Sequence, residues 1–180
     1  MALTVLLGGA RSGKSSAAQS LAAGIDHPVT YLATAQPGDA EMATRIDRHQ
    51  KERPAEWATR EEPLDLRQAF TAIPHNETVI VDCLTLWLNN MMGSGAAEPD
   101  ILEAAETSAK MAAAREGETI AVTNEVGLGI VPPSPMGRQF RDVAGRVNRI
   151  WVEHSHRTGF VVAGRVLPLV TVSDWKEMNR

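Results

Sequence analysis

Residues 8–15 read Gly8-Gly9-Ala10-Arg11-Ser12-Gly13-Lys14-Ser15, the pattern G-x-x-x-x-G-K-S. The apolar run Leu3-Thr4-Val5-Leu6-Leu7 before it has the composition and length of a β-strand, and the alanine-rich stretch Ser16 to Ala23 after it reads as a helix. Glycines let the backbone curl until successive N–H groups point at one anion, at the positive end of the helix dipole. Lys14 can then reach the β- and γ-phosphates of a nucleotide, and the Ser15 hydroxyl can ligate Mg²⁺. A glycine-rich turn with no ligand would share the local shape, but strand, loop and helix in this order favour a nucleoside triphosphate.

Downstream, strands and helices alternate. Val29-Thr30-Tyr31-Leu32-Ala33-Thr34-Ala35 reads as a second strand, and Pro37-Gly38 as a turn with Asp39 as N-cap. The helix Ala40 to about Glu52 sets Met42, Ala43 and Ile46 on one face among many charged residues, and Pro54 ends it. Ala55 to Thr59 reads as a short strand, Glu61-Glu62-Pro63 as a turn, and Leu64 to Ala72 as a helix. Thr78-Val79-Ile80-Val81-Asp82-Cys83 is a strand, Leu84 to Met92 a helix, Gly93 to Pro99 a loop, and Ile101 to Arg115 a one-sided helix. Thr119 to Thr123 is another strand. Ser134-Pro135 starts a helix whose apolar face is Phe140, Val143, Ala144, Val147, Ile150 and Trp151. Gly159 to Ala163 and Leu167 to Val170 supply last strands, with Pro168 restricting the final one to an edge.

This alternation, with several continuously apolar strands, predicts a mainly parallel sheet covered by helices on both faces. At 180 residues and 43% hydrophobic content the expectation is a single α/β domain spanning 1–180, with three layers. A net charge of −4 argues against a nucleic-acid partner held by a basic surface. One cysteine, Cys83, excludes an internal disulfide and multi-cysteine metal clusters, and its place after an apolar run predicts a buried thiol. No apolar run is long enough to span a bilayer, and the chain starts on a strand and not a signal peptide, so a cytoplasmic protein is expected.

Three side chains outside the glycine loop carry the chemistry. Asp82 ends an apolar strand, where it either holds Mg²⁺ or caps the next helix. Glu125 follows the fourth long strand, at the sheet edge where ligands gather, as a general base or a turn residue. His49 stands among Arg45, Arg48, Lys51 and Arg53. An unprotonated imidazole beside a triphosphate can attack phosphorus and carry a nucleotidyl group, with the arginines holding phosphates, although a surface histidine on a charged helix is the commoner arrangement. His27, His75, His154 and His156 read as turn or surface residues. Arg138, Arg141, Arg146 and Arg149 read as an exposed helical face.

Taken together, Gly8 to Ser15, Tyr31-Leu-Ala-Thr-Ala35, Glu41-Met-Ala-x-Arg-Ile46 with His49 and Arg53-Pro54, and Val81-Asp-Cys-Leu-Thr-Leu-Trp-Leu-Asn89 resemble a known family. Thr123-Asn-Glu-Val-Gly-Leu-Gly-Ile-Val-Pro132 and Phe140-Arg-Asp-x-Ala-Gly-Arg-x-Asn148 continue the resemblance. The family is the bifunctional adenosylcobinamide kinase/adenosylcobinamide-phosphate guanylyltransferase of cobalamin nucleotide-loop assembly. The resemblance implies phosphorylation of adenosylcobinamide by ATP or GTP. It then implies GMP transfer from GTP to adenosylcobinamide phosphate, through a guanylyl-histidine at the position of His49, with release of pyrophosphate. It further implies that Ala33, Thr34, Ala35, Gln50, Lys51, Glu52, Arg53, Glu61 or Glu62, and Asp82 lie against the nucleotide or its Mg²⁺. A RecA-like P-loop fold and a homotrimer follow from the same resemblance. After Asn148 the chain departs from the family pattern, with Trp151-Val-Glu-His-Ser-His-Arg157 in place of an alanine-rich helix and acidic turn. The rival readings are a single-activity small-molecule kinase and a nucleotide-binding switch without catalysis.

Overall fold

The computed structural model describes residues 3–38, 40–51 and 53–178. Asp39 and Glu52 lie outside the described residues, as do the side chains of Glu41, Met42 and Arg45. The strands are β1 (Leu3–Gly8), β2 (Val29–Ala33), β3 (Ala58–Glu61), β4 (Thr78–Asp82), β5 (Thr119–Asn124), β6 (Arg157–Val162) and β7 (Arg165–Leu169). The helices are α1 (Lys14–Ala23), α2 (Ala40–Lys51), α3 (Leu66–Ala72), α4 (Leu84–Gly93), α5 (Glu98–Ala114), α6 (Pro135–Glu153) and α7 (Val172–Met178). One seven-stranded sheet has the order β3-β2-β4-β5-β1-β6-β7. Every neighbouring pair is parallel except β6 with β7, and β7 is the edge strand that Pro168 requires.

The strands' period of two divides their side chains between two cores. Leu3, Val5, Leu7, Leu32, Val79, Val81 and Ala121 face α3, α4, α5 and α6. Leu6, Tyr31, Ile80, Ile120, Val122 and Val161 face the other way, against Ala18 and Ala22 of α1. The sheet is thus the middle of three layers. Val143, Ala144, Val147 and Trp151 of α6 are buried as their spacing predicts. Among the described residues no helix is long and apolar enough to cross a membrane.

Several boundaries differ from the sequence expectation. The strand expected over Ala55 to Thr59 lies at Ala58–Glu61, because the Trp57 N–H closes a turn on the Pro54 carbonyl at 3.1 Å. Pairing with β2 begins only at Thr30 opposite Ala58. Helix α5 starts earlier than expected, at Glu98, because Pro99 sits in its first turn, where a missing N–H costs nothing. Helix α7, which shows no legible pattern, has no buried residues.

Arg115, only 1% exposed, closes the end of α5. Its guanidinium donates to the carbonyls of Pro74 at 2.7 Å and Glu77 at 3.0 Å, and at longer range to Phe70 and Ile73. Burial pulls its pKa below the usual arginine value, with the charge of Glu77 opposing. Arg115→Met should leave those carbonyls unsatisfied and cost about 3 kcal/mol of stability, read from urea unfolding. A loss below half a kcal/mol would show that water replaces the guanidinium.

Candidate functional site

Strand register sets the site. Ala33 pairs with Glu61 on one side and with Asp82 on the other, while Gly8 pairs with Asn124, so these residues line the carboxyl edge of one sheet. Ligands of open parallel sheets bind at that edge.

The glycine loop occupies it as expected. A Cβ at Gly8 would lie 2.2 Å from the Val161 carbonyl oxygen, so β6 tolerates no side chain there. Gly13 has φ 97° and caps α1 without a side-chain hydrogen bond, which leaves the first amides of the helix for an anion. The loop is braced by the tight β6–β7 turn, where Ala163 (φ 50°) and Gly164 (φ 72°) both have positive φ. The Gly164 N–H donates to the Ser12 carbonyl at 2.8 Å. Lys14, 6% exposed, folds back on the loop and donates to the Gly9 carbonyl at 2.6 Å and the Ser12 hydroxyl at 3.3 Å. Arg11 is exposed in a left-handed conformation, with Gly9 and Ala10 exposed beside it.

Next to the loop is a cavity of about 250 Å³. Ser15, Ala33, Ala35, Asp82, His49, Gln50, Arg53 and Glu61 line it together with Tyr31, Cys83 and Leu86. Helix α2 thereby brings His49 to the same space as the end of the phosphate loop, within one chain. Glu61 and Glu62 separate: Glu61 lines the cavity, whereas the Glu62 carboxylate accepts the N–H groups of Leu64 and Asp65. Lys51 forms an exposed ion pair with Asp47. Thr34 is fully buried, with its hydroxyl donating to the Cys83 carbonyl at 2.8 Å and accepting the Cys83 N–H at 2.9 Å. It clamps the backbone that carries Asp82.

Asp82 accepts the Tyr31 hydroxyl, and α4 begins at Cys83 without a side-chain cap. Burial, then the Asp82 charge, push the Tyr31 phenol far above its usual pKa, so it remains a donor. The Arg53 guanidinium lies 3.5 Å from the centre of the Tyr31 ring. Arg53 Nε is buried without a hydrogen-bond partner among the described residues, a donor available to a ligand. Cys83 is pushed up to about 12 by burial and then by the Asp82 charge. Its thiol should resist iodoacetamide in native protein at mildly alkaline pH and react in urea, as intact mass would show; rapid native labelling would refute this burial.

Glu125 donates its N–H to the Gly8 carbonyl at 3.1 Å, and its carboxylate accepts the Gly127 N–H at 2.6 Å. A buried polar network fixes this turn. The Thr123 hydroxyl donates to Asn148 Oδ1 at 2.6 Å, Asn148 Nδ2 donates to the Asn124 carbonyl at 3.0 Å, and the Asn124 N–H donates to the Thr85 hydroxyl at 2.7 Å. Sequence reasoning passed over Thr85 and Asn148, although both stand inside the motifs quoted above. Arginines of α6 have carboxylate partners, for instance Arg149 with Glu153 one turn on and Arg146 with Glu98 at the start of α5.

A family model described as cobinamide kinase / cobinamide phosphate guanyltransferase matches residues 4–169. The chain belongs to this family. It is 43% identical over 168 residues to the bifunctional adenosylcobalamin biosynthesis protein CobP of Pseudomonas aeruginosa, covering 92% of this chain and 95% of that protein. To the protein CobU of Salmonella typhimurium, whose name likewise reads bifunctional adenosylcobalamin biosynthesis protein, it is 37% identical over 176 residues, covering 90% and 96%. Among solved structures it is similar to an ATPase of the type III secretion system of pathogenic bacteria, with a TM-score of 0.53 at 12% identity. Likeness to the assembled ATPase EscN of enteropathogenic Escherichia coli gives 0.56 at 11%. The chain spans 54% and 44% of those two chains, and at such identities the likeness shows the fold alone, a RecA-like α/β sheet.

Proposed function

We propose that this single P-loop domain carries both family activities: an NTP-dependent adenosylcobinamide kinase, and a guanylyltransferase acting on the resulting phosphate. The observation that carries the reading is the shared cavity, in which Ser15 and Asp82 stand with His49 and Arg53. A P-loop kinase alone has no need of a histidine there.

The donor set fits Mg²⁺. Among the described residues no cluster of three or more His, Cys, Asp or Glu side chains forms a metal cage. Mg²⁺ is commonly held by one or two carboxylates, phosphates and water. The Ser15 hydroxyl and Asp82 carboxylate would hold it, and when bound it neutralises phosphate charge. In the kinase step the terminal hydroxyl of adenosylcobinamide attacks the γ-phosphorus of ATP or GTP, and nucleoside diphosphate leaves. The hydroxyl proton passes to Glu125, while Lys14 and the amides of α1 hold the phosphates.

In the second step a ring nitrogen of His49 attacks the α-phosphorus of GTP. The N–P bond forms as the bond to pyrophosphate breaks. An oxygen of adenosylcobinamide phosphate then displaces histidine, giving adenosylcobinamide-GDP and restoring the imidazole. Arg53, with Nε unpaired among the described residues, and Gln50 hold the nucleotide during transfer. We place the enzyme in the cytoplasm as a homotrimer. Exposed Leu167, Leu169, Val170, Val172 and Trp175 along β7 and α7 support a subunit contact.

The test is incubation of adenosylcobinamide with Mg²⁺ and either γ-phosphate-labelled ATP or α-phosphate-labelled GTP, followed by separation of the corrinoids. Label from both nucleotides is expected in corrinoid products. Nucleotide binding without corrinoid turnover would leave a switch module, and label from the γ-phosphate alone a single-activity kinase.

A further inference from the structure

Tyr31 lines the cavity, and the two reaction steps above give it no role. It stands on β2, is 1% exposed, and is 51 residues from Asp82 in sequence. Its hydroxyl and its ring face have different partners: the hydroxyl donates to Asp82 Oδ2, and the ring seats the guanidinium of Arg53 at 3.5 Å. Arg53 also donates to the Thr59 hydroxyl at 3.2 Å, so the cation is held from two sides just beyond the end of α2.

A buried phenol satisfied by one carboxylate could serve packing alone. Two features argue for more. First, the bond goes to the carboxylate at the end of β4, which lines the cavity with Ser15, and it engages one of that carboxylate's two oxygens. Second, an arginine stacked on an aromatic face keeps its outer N–H groups in the ring plane of the guanidinium, directed past the ring edge and open to phosphate oxygens. Arg53 Nε has no partner among the described residues.

We infer that Tyr31 is a positioning residue with a double function, fixing the Asp82 carboxylate through its hydroxyl and the Arg53 guanidinium through its ring. It ties the metal-holding side of the cavity to the chain just beyond the helix that carries His49. The inference rests on the nucleotide reading of the cavity. The two halves of the function are separable by substitution. Tyr31→Phe removes the hydroxyl and keeps the ring; Tyr31→Leu removes both.

The experiment measures Mn²⁺ binding in the presence of GTP by electron paramagnetic resonance, and GTP binding in EDTA by equilibrium dialysis. Partners that orient a metal ligand are commonly worth 10–100-fold in metal affinity, so Tyr31→Phe should weaken Mn²⁺ binding roughly tenfold. It should leave metal-free GTP binding within about twofold, whereas Tyr31→Leu should weaken both. Because Leu at a buried site can disturb the fold, a double-substitution cycle supplies a second reading: Tyr31→Phe should add little to the Mn²⁺ defect of Asp82→Asn. Wild-type Mn²⁺ affinity in Tyr31→Phe, or full additivity with Asp82→Asn, overturns the positioning role while the nucleotide reading stands. Failure of the unsubstituted protein to bind GTP overturns both.

Discussion

His49→Ala protein is expected to take up no label when incubated with Mg²⁺ and α-phosphate-labelled GTP, where the unsubstituted protein becomes labelled. The label should be lost in acid and survive alkali, as a phosphoramidate to histidine is. Removing the nucleophile of a covalent pathway leaves only positioning and charge stabilisation, so guanylyl transfer should fall by roughly 10⁴-fold or more. The kinase step does not use the imidazole and should stay within a few-fold, so adenosylcobinamide phosphate should accumulate. Alanine is a good helix former, and His49 is only half buried on α2, so unfolding should change little. Persistent acid-labile label in the variant would move the nucleophile elsewhere; absence of label in the unsubstituted protein, with GTP bound, would end the covalent mechanism.

The second large effect is expected at Lys14. Its amine lies folded on the loop against the Gly9 carbonyl, and the residue is 6% exposed. Lys14→Ala should lower kcat/KM of the kinase step by about 10³-fold, or ~4 kcal/mol of transition-state stabilisation. Lys14→Arg keeps the charge but replaces a compact ammonium with a planar fork, and should recover little of the loss. A drop of tenfold or less in Lys14→Ala would mean that the loop amides alone carry the phosphates. The melting temperature read in parallel separates this from loss of the loop's own brace.

The two predictions differ in how far the chain's local pattern carries them. Lys14 and Ser15 are placed by what lies within a few residues of them: an apolar strand, glycines that free the backbone, and a helix that starts on their amides. The strand and helix order is local in the same sense. So are the alternation that divides Leu6 from Leu3, Val5 and Leu7, the Ser134-Pro135 start of α6, and the apolar face ending at Trp151. These features arise from periodicities and caps that a short window contains, and the sequence by itself determined them. The motifs quoted with the family resemblance determined where to look for the remainder.

Tertiary structure alone decided which motif residues meet. Parallel register brings Glu61, Ala33 and Asp82 side by side, so that Glu61 lines the cavity while Glu62 is used by its own turn. The placement of α2 and of the chain just beyond it brings His49 and Arg53 to the cavity that Asp82 and Ser15 also line. The bond from Tyr31 to Asp82, the clamp of Thr34 on Cys83 and the Asn148 network all join residues far apart in the chain. The β6–β7 turn that braces the phosphate loop comes from the far end of the chain, about 150 residues on in sequence. A contact of that span leaves no periodicity, because its geometry is fixed by strand pairing and helix packing and not by the residues on either side of it.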